Sequence, residues 1–509
     1  LTEQALREKV SVVFDKSEER VSALIAKGNW IDGKWVPSSS GETREVRNPS
    51  NVDEVVGVVA WSTARDIEAA VRSAKNAFRP WSRMPWPSRA KVLSKAAAIL
   101  AGRLEEVATL LSREQGKPIG EARGEVQRGV DLLQYYAGEG WRGMGEVIPS
   151  AAPGALMFTM REPLGVVGVI TPWNFPVAIP LWKACPALIY GNTVVLKPAA
   201  DSPLTALAIA QVFEEAGMPA GVFNVVTGSG GVLGDALVSH EDVKAVTFTG
   251  SNAVGSHIAK LASARGIKYQ LEMGGKNAAI VLADADLDHA AEIVISGAMR
   301  FAGQKCTATS RAIVERRVME AFAERVVERA RSLAVRPATD EEAYLGPVVN
   351  ESQRRQILSY IDVGKAGEGK LLCGGGIPKG ELYERGYFVE PTVFADVRPD
   401  AKIAQEEIFG PVLSLIPADS PEQAIEIANG VRYGLSASLF TNDLSRALEY
   451  IREIEVGMVR VNAETAGVEL QAPFGGYKAS SSYSREQGRA AMEFFTQVKT
   501  VTIAPAGGR

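Results

Sequence analysis

Gly165-Val166-Val167-Gly168-Val169-Ile170 is an apolar run of strand length, and it opens a region in which short strands and helices alternate. A strand over 193–196 follows, then a helix over 203–216, a strand over 222–226, a helix over 231–238 and a strand over 243–248. Regular alternation of this kind builds βαβ units, hence a parallel sheet with ligands at the carboxyl ends of its strands. Two of those ends carry chemistry. Lys197-Pro198 sets a cation where a ribose or phosphate would lie, and Thr249-Gly250-Ser251 leaves a strand and opens a helix. Free amide groups and the helix dipole at such a terminus favour an anion, for example a pyrophosphate. Each feature alone is an ordinary loop; together they favour a nucleotide site.

On the carboxyl side a second alternating section extends from 277 to 457, with strands at 277–282, 412–416 and 436–440 and helices at 287–301 and 318–333. The Gln405-Glu406-Glu407-Ile408-Phe409-Gly410-Pro411 stretch within it reads as an acidic-aromatic turn. On the amino side, Asp32-Gly33 lies between strand-forming residues and predicts a tight hairpin. Helices are expected over 63–78 and 88–114, and a surface helix over 2–26. Gly138, Gly140 and Gly143 match G-x-G-x-x-G, but residues 130–137 before them look helical, whereas a dinucleotide fingerprint needs a preceding strand. The alternating ending 495–503 reads as a strand that needs a partner, such as another subunit. The fold class is therefore α/β.

A chain of 509 residues with a formal net charge of −4 has no general basic field, so no nucleic-acid partner is implied. Three cysteines, Cys185, Cys306 and Cys373, form no disulfide framework and suit a reducing compartment. The three histidines, His240, His257 and His289, lack metal-ligand spacing, so no metal is expected. No apolar run approaches bilayer length, and the first residues lack the basic-then-apolar order of a secretory signal. A cytoplasmic location without membrane contact is expected.

A free cysteine is commonly a small buried hydrophobe. Cys306 has a different setting: Gly303-Gln304-Lys305-Cys306-Thr307 is a polar, glycine-containing turn after a helix. Glu272 stands beside Gly274 and Gly275, and Asn174 sits between Pro172 and Pro176. Thiol, carboxylate and amide on separate loops are the parts of covalent acyl chemistry: nucleophile, base and oxyanion donor.

Taken together, the motifs TPWNFP (171–176), VLKP (195–198), FTGS (248–251), LEMGGKN (271–277), GQKC (303–306), EEIFGP (406–411) and PFGGYK (473–478) resemble the aldehyde dehydrogenase superfamily, in its order and over nearly the whole chain. The resemblance implies a Rossmann-like nucleotide-binding domain (28–144 and 162–274), an α/β catalytic domain (275–475), a small β oligomerisation element (145–161 and 488–503) and a helical extension (1–27). It implies Cys306 as nucleophile, Glu272 as general base, Asn174 as oxyanion donor alongside the Cys306 amide, and Lys183 with Glu486 in a proton relay. Ile170, Thr171, Pro172, Trp173, Lys197, Ala200, Gly250, Ser251, Gly274, Glu407 and Phe409 then fall on the cofactor, NADP or NAD. NAD-preferring members often carry an acid three residues after the lysine matching Lys197; Ala200 there implies acceptance of a 2′-phosphate.

The sequences 300–311 and 475–482 look most like the subgroup oxidising α-ketoglutarate semialdehyde (2,5-dioxopentanoate). A carboxylated substrate needs a cation or several donors, which Arg300, Lys305 or Gln471 would supply, while Trp182 implies an aromatic-lined tunnel. A homodimer or homotetramer is expected. The alternatives are oxidation of uncharged aldehydes, a CoA-acylating enzyme or a binding protein that lost catalysis. Glu272 favours water as the acceptor, since acylating relatives often lack that base.

Overall fold

The computed structural model describes residues 28–143 and 145–506; the expected helix over 2–26 lies outside the described residues. Two seven-stranded sheets organise the chain. The first runs in the order Lys268–Glu272, Val243–Thr249, Val166–Ile170, Thr193–Lys197, Phe223–Val225, Asn29–Ile31 and Lys34–Val36. Its first five strands are mutually parallel. Val166–Ile170 and Thr193–Lys197 are buried along their whole length, which is why they read as unbroken apolar runs rather than as alternation. Asn29–Ile31 adds antiparallel through Trp30 opposite Val225, and the hairpin turns at Asp32 (φ 54°) and Gly33 (φ 69°), the left-handed pair that Asp-Gly supplies.

The helix Pro203–Ala216 spans the predicted residues, and it ends at Gly217 in the left-handed conformation (φ 81°). The expected helix over 88–114 divides into Trp86–Gly102 and Leu104–Gln115. Gly102 weakens the helix there, and the Arg103 guanidinium bonds Glu106, Gln211 and Glu215, fixing a corner that periodicity does not register. Gly138 lies in the helix Ile119–Glu139 and Gly140 caps it, so no strand precedes the G-x-G-x-x-G match.

The second sheet has the order Lys370–Cys373, Thr392–Ala395, Val412–Ala418, Thr309–Glu315, Asn277–Val281, Ser436–Phe440 and Met458–Val461. All its pairings are parallel except that of Lys370–Cys373. Four residues, Met273 to Lys276, join the edge strand of the first sheet to a central strand of the second, so Glu272 comes off one sheet where the other begins. Cys306 enters the second sheet three residues later, at Thr309.

The terminal strand Thr496–Ile503 has its partner within the chain: it pairs antiparallel with Leu156–Pro163, Thr496 opposite Pro163 through Ile503 opposite Leu156. Val147–Ile148 lines the other side of Leu156–Pro163. The short helix Ala490–Phe495 before it buries Ala491, Phe494 and Phe495 in the core of the first sheet. That anchor places the two ends of the ribbon together without a second subunit.

Arg89 shows how this scaffold reaches the site. Its buried guanidinium donates to the carbonyls of Trp81, Ser82, Met84 and Ile189, the last residue of the helix Ala178–Ile189 that carries Trp182 and Lys183. Arg89→Leu leaves four carbonyls without their donor, and the expected loss is on the order of 3 kcal/mol, read as a lower midpoint in thermal or urea unfolding. An unchanged midpoint would remove Arg89 from the scaffold.

Candidate active site

The helix after Asn277–Val281 stops at Met299, two residues before its expected end, because the backbone turns left-handed. Phe301, Ala302 and Gly303 have φ of 56°, 50° and 66°. Two non-glycine residues in this region cost about 1–2 kcal/mol each, and the surroundings hold them there. Glu121 accepts from the Phe301 amide at 2.9 Å, and the Gln304 side-chain oxygen accepts from the Val349 amide at 3.0 Å. A Cβ at Gly303 would lie 2.2 Å from the Gly410 carbonyl oxygen, so only glycine fits.

Cys306 leaves this turn partly exposed. Asn277 Nδ2 donates to its carbonyl at 2.8 Å, and Asn174 Nδ2 donates to the Gln304 carbonyl at 3.0 Å, two residues before the thiol. The thiol packs against the cluster of Leu435, Met458 and Phe474, as does Val468, and Phe474 in turn packs on Trp182 with ring centroids 5.4 Å apart. Trp182 is buried, and its indole N–H has no partner among the described residues. The Cys306 pKa is pushed up to about 12, first by withdrawal from water and then by the Glu407 and Glu272 charges, against the pull of the Cys306 and Thr307 amides.

Glu272 is buried at the end of Lys268–Glu272. Ser481 Oγ donates to its Oε2 at 2.5 Å, while its Oε1 has no hydrogen-bond partner among the described residues. Burial holds its proton affinity well above the usual carboxylate range, and Glu486 adds to that, against Ser481, Lys183 and Arg485. Lys183 and Glu486 form a buried ion pair, and both bond Thr247 Oγ1, at 2.9 and 3.1 Å.

At the carboxyl ends of the first sheet, Ile170 and Thr171 are buried and Pro172 and Trp173 partly so. Lys197 is buried with neither an ion pair nor a side-chain hydrogen bond among the described residues, and burial lowers its pKa to about 8. Its Nζ faces Gly230, where an added Cβ would come within 3.7 Å. Ala200 lies partly exposed on the following loop, beside Asp201. Ser251 caps the helix Asn252–Ala264, whereas the Gly250 amide is already bound to the Glu272 carbonyl at 3.0 Å and so is not free for an anion. Glu407 accepts from the Gly275 amide at 3.0 Å, and burial raises its pKa to about 7. A Cβ on Gly274 would overlap its Oε2, at 2.0 Å. Phe409 (φ 59°) sets its ring edge-on to Trp173 at 5.4 Å. An unmatched buried ammonium, a capped helix terminus and a carboxyl with aromatic neighbours on one rim fit a dinucleotide.

The remaining sequence candidates each have a neighbour of their own. Lys305 is buried and paired with Glu464 at 3.0 Å, Arg300 is exposed with its guanidinium over Tyr344, and Gln471 is exposed and bonded to Glu469 at 2.8 Å. Residue-by-residue reading passed over Thr247, Ser481 and Phe474. Phe474 stood inside the quoted PFGGYK motif, but nothing local marks a threonine in a buried strand as a partner for residues 64 and 239 positions away.

A nucleotide-type sheet closing on a thiol, an amide and a buried carboxyl is the architecture of a cysteine-dependent oxidoreductase. The sequence model of the aldehyde dehydrogenase family matches residues 35–501. The chain is 54% identical over 477 residues to α-ketoglutaric semialdehyde dehydrogenase of Bacillus subtilis, covering 94% of this chain and 98% of that protein. It is 46% identical to α-ketoglutarate semialdehyde dehydrogenase of Haloferax volcanii (93% and 98% covered) and 42% identical to 2,5-dioxopentanoate dehydrogenase of Saccharolobus solfataricus (92% and 97%). Among solved structures, betaine aldehyde dehydrogenase of Staphylococcus aureus in complex with NAD+ is similar with a TM-score of 0.92 at 33% identity (96% and 97% covered). An NAD-dependent aldehyde dehydrogenase of Sinorhizobium meliloti has a TM-score of 0.91 at 38% identity (95% and 97%). The chain belongs to the aldehyde dehydrogenase family, and its activity is NAD(P)-dependent oxidation of an aldehyde to an acid. No helix among the described residues is long and apolar enough to cross a membrane.

A thiol with a pKa near 12 holds a thiolate fraction that grows about tenfold per pH unit through the neutral range. Carbamidomethylation of Cys306 by iodoacetamide in the cofactor-free protein is therefore expected to accelerate steadily from pH 7 to 9, with Cys306→Ser as the control for Cys185 and Cys373. A rate that levels off near pH 7 would show a thiol already ionised.

Proposed function

We propose that this protein oxidises α-ketoglutarate semialdehyde to the corresponding dicarboxylate, with NADP or NAD as oxidant. The observation that carries this reading is that three relatives bearing that activity in their names each align with more than nine-tenths of the chain at 42% identity or more. Cys306 thiolate attacks the aldehyde carbon, and the resulting oxyanion takes hydrogen bonds from Asn174 Nδ2 and the Cys306 amide. A bound NAD(P) supplies the hydride acceptor. Lys197, Ser251, Glu407 and Phe409 bind and orient it; Ile170, Thr171, Pro172, Trp173, Ala200, Gly250 and Gly274 shape its site. The thioester left on Cys306 is hydrolysed by water that Glu272 deprotonates, with Lys183 and Glu486 beside it to move the proton on. Because Glu272 holds its proton above the usual carboxylate range, hydrolysis gains rate as pH rises through that raised pKa.

For the substrate's far carboxylate we assign Arg300. It has no ion pair among the described residues, whereas Lys305 is matched by Glu464 and Gln471 bonds Glu469. Trp182 and Phe474 wall the path to the thiol. Ala200 itself brings no charge against a 2′-phosphate, and on that ground NADP is accepted. The cofactor domain comprises 28–144 and 162–274, the catalytic domain 275–475, and the ribbon 145–161 with 488–503 serves assembly into a homodimer or homotetramer. The cytoplasm suits its free thiols.

Reduced-nicotinamide formation across α-ketoglutarate semialdehyde, succinate semialdehyde and uncharged aldehydes tests the substrate directly, each with NAD and NADP. The dicarbonyl acid is expected to have the highest kcat/KM, and Arg300→Leu to raise its KM about tenfold or more while sparing uncharged aldehydes; preference for uncharged aldehydes sinks the substrate reading. Glu272→Gln is expected to leave a burst of one reduced nicotinamide per subunit while steady turnover falls about 10²–10⁴-fold. Loss of the burst as well would place Glu272 before hydride loss.

A further inference from the structure

Lys117 lies outside every role assigned so far, yet it is 1% exposed, and the nearest motif of the cofactor or thiol begins only at Thr171, 54 residues further on. It follows Gly116, whose left-handed conformation (φ 87°) ends the helix Leu104–Gln115 and turns the side chain inward. Its ammonium donates to the backbone carbonyl of Asn174 at 2.8 Å and to the Glu125 carboxylate. Glu125 Oε1 in turn accepts from the Val177 and Ala178 amides at 2.8 and 3.1 Å, where the helix Ala178–Ile189 begins. The ion pair thus holds the 174–178 loop at both ends. The same ammonium sits 3.9 Å from the ring centroid of Phe175 and 4.1 Å from that of Phe301. Phe175 follows the amide donor, and Phe301 is the first residue of the left-handed turn that delivers Cys306.

We propose that Lys117 is a positioning residue: by bonding the Asn174 carbonyl and lying between Phe175 and Phe301, it sets the distance between the oxyanion donor and the nucleophile. A loop that leaves one sheet and a strained turn that leads into the other have no covalent reason to keep register, and one cation gripping both supplies it. A methionine in its place keeps much of the volume but cannot donate to the Asn174 carbonyl. Burial disfavours the charge and Glu125 offsets that, so the pair stays assembled. The inference rests on the reading of Asn174 as oxyanion donor.

The test is a double-mutant cycle on kcat. Lys117→Met leaves Glu125 unmatched, so it is made both alone and as Lys117→Met with Glu125→Gln, which leaves no unpaired charge; each is combined with Asn174→Ala. A misplacement of the donor by about 1 Å costs up to about 10²-fold. We expect kcat to fall at least about tenfold in the paired variant, with the dissociation constant for NADP, read by fluorescence, little changed. In the Asn174→Ala background the same change is expected to cost less than about twofold, because the group it positions is gone. An equal loss in both backgrounds, or no loss in the paired variant, overturns the proposal. Full kcat in Asn174→Ala alone overturns the oxyanion reading and this inference with it, a result distinct from the first two.

Discussion

Three successive left-handed residues, Phe301, Ala302 and Gly303, deliver the thiol to its site, and the conformation persists only because other parts of the chain hold it. Gly410 leaves room for a glycine and nothing larger, Glu121 takes the Phe301 amide, and Val349 and Asn174 bond the two oxygens of Gln304. Those partners come from one helix and three separate loops. A turn that strained cannot be an isolated feature: its energy is met by burial elsewhere, so folding and the assembly of the site are one event.

The same logic governs the charges. Lys183 with Glu486 and Lys117 with Glu125 are buried pairs whose desolvation a purely apolar core would avoid. Each pair lies next to a reactive group, the first beside Glu272 and the second behind Asn174. Burial also raises the proton affinity of Glu272, Glu407 and Cys306 together. The free protein therefore rests with its thiol protonated, and burial shifts its base toward the protonated form. Reactivity depends on what enters the site to change those neighbours, and two carboxyls near the thiol are well placed to respond.

Much of this was legible beforehand. Strands in the first sheet announced themselves because both faces are covered, which makes each an unbroken apolar run; the helix Pro203–Ala216 carried its own proline start and glycine stop. The thiol, the carboxyl and the amide were visible as unusual residues in polar or proline-bounded stretches. Arg103, Thr247 and Lys117 were not, because their partners are far away in sequence and their own neighbourhoods look ordinary. The Gly250 amide, expected to be free, was taken by Glu272, a contact that exists only once two parallel strands lie side by side.

Sequence by itself determined the α/β class and the family and singled out Cys306, Glu272 and Asn174 as candidates, since periodicity, turn chemistry and side-chain type are local properties. Tertiary structure decided how those groups behave. It placed the terminal strand against Leu156–Pro163 within the same chain, matched Lys305 with Glu464, and set the proton affinities of Cys306 and Glu272. Register between sheets, burial and the distance between charges are long-range quantities, and they have no value until the chain has closed on itself.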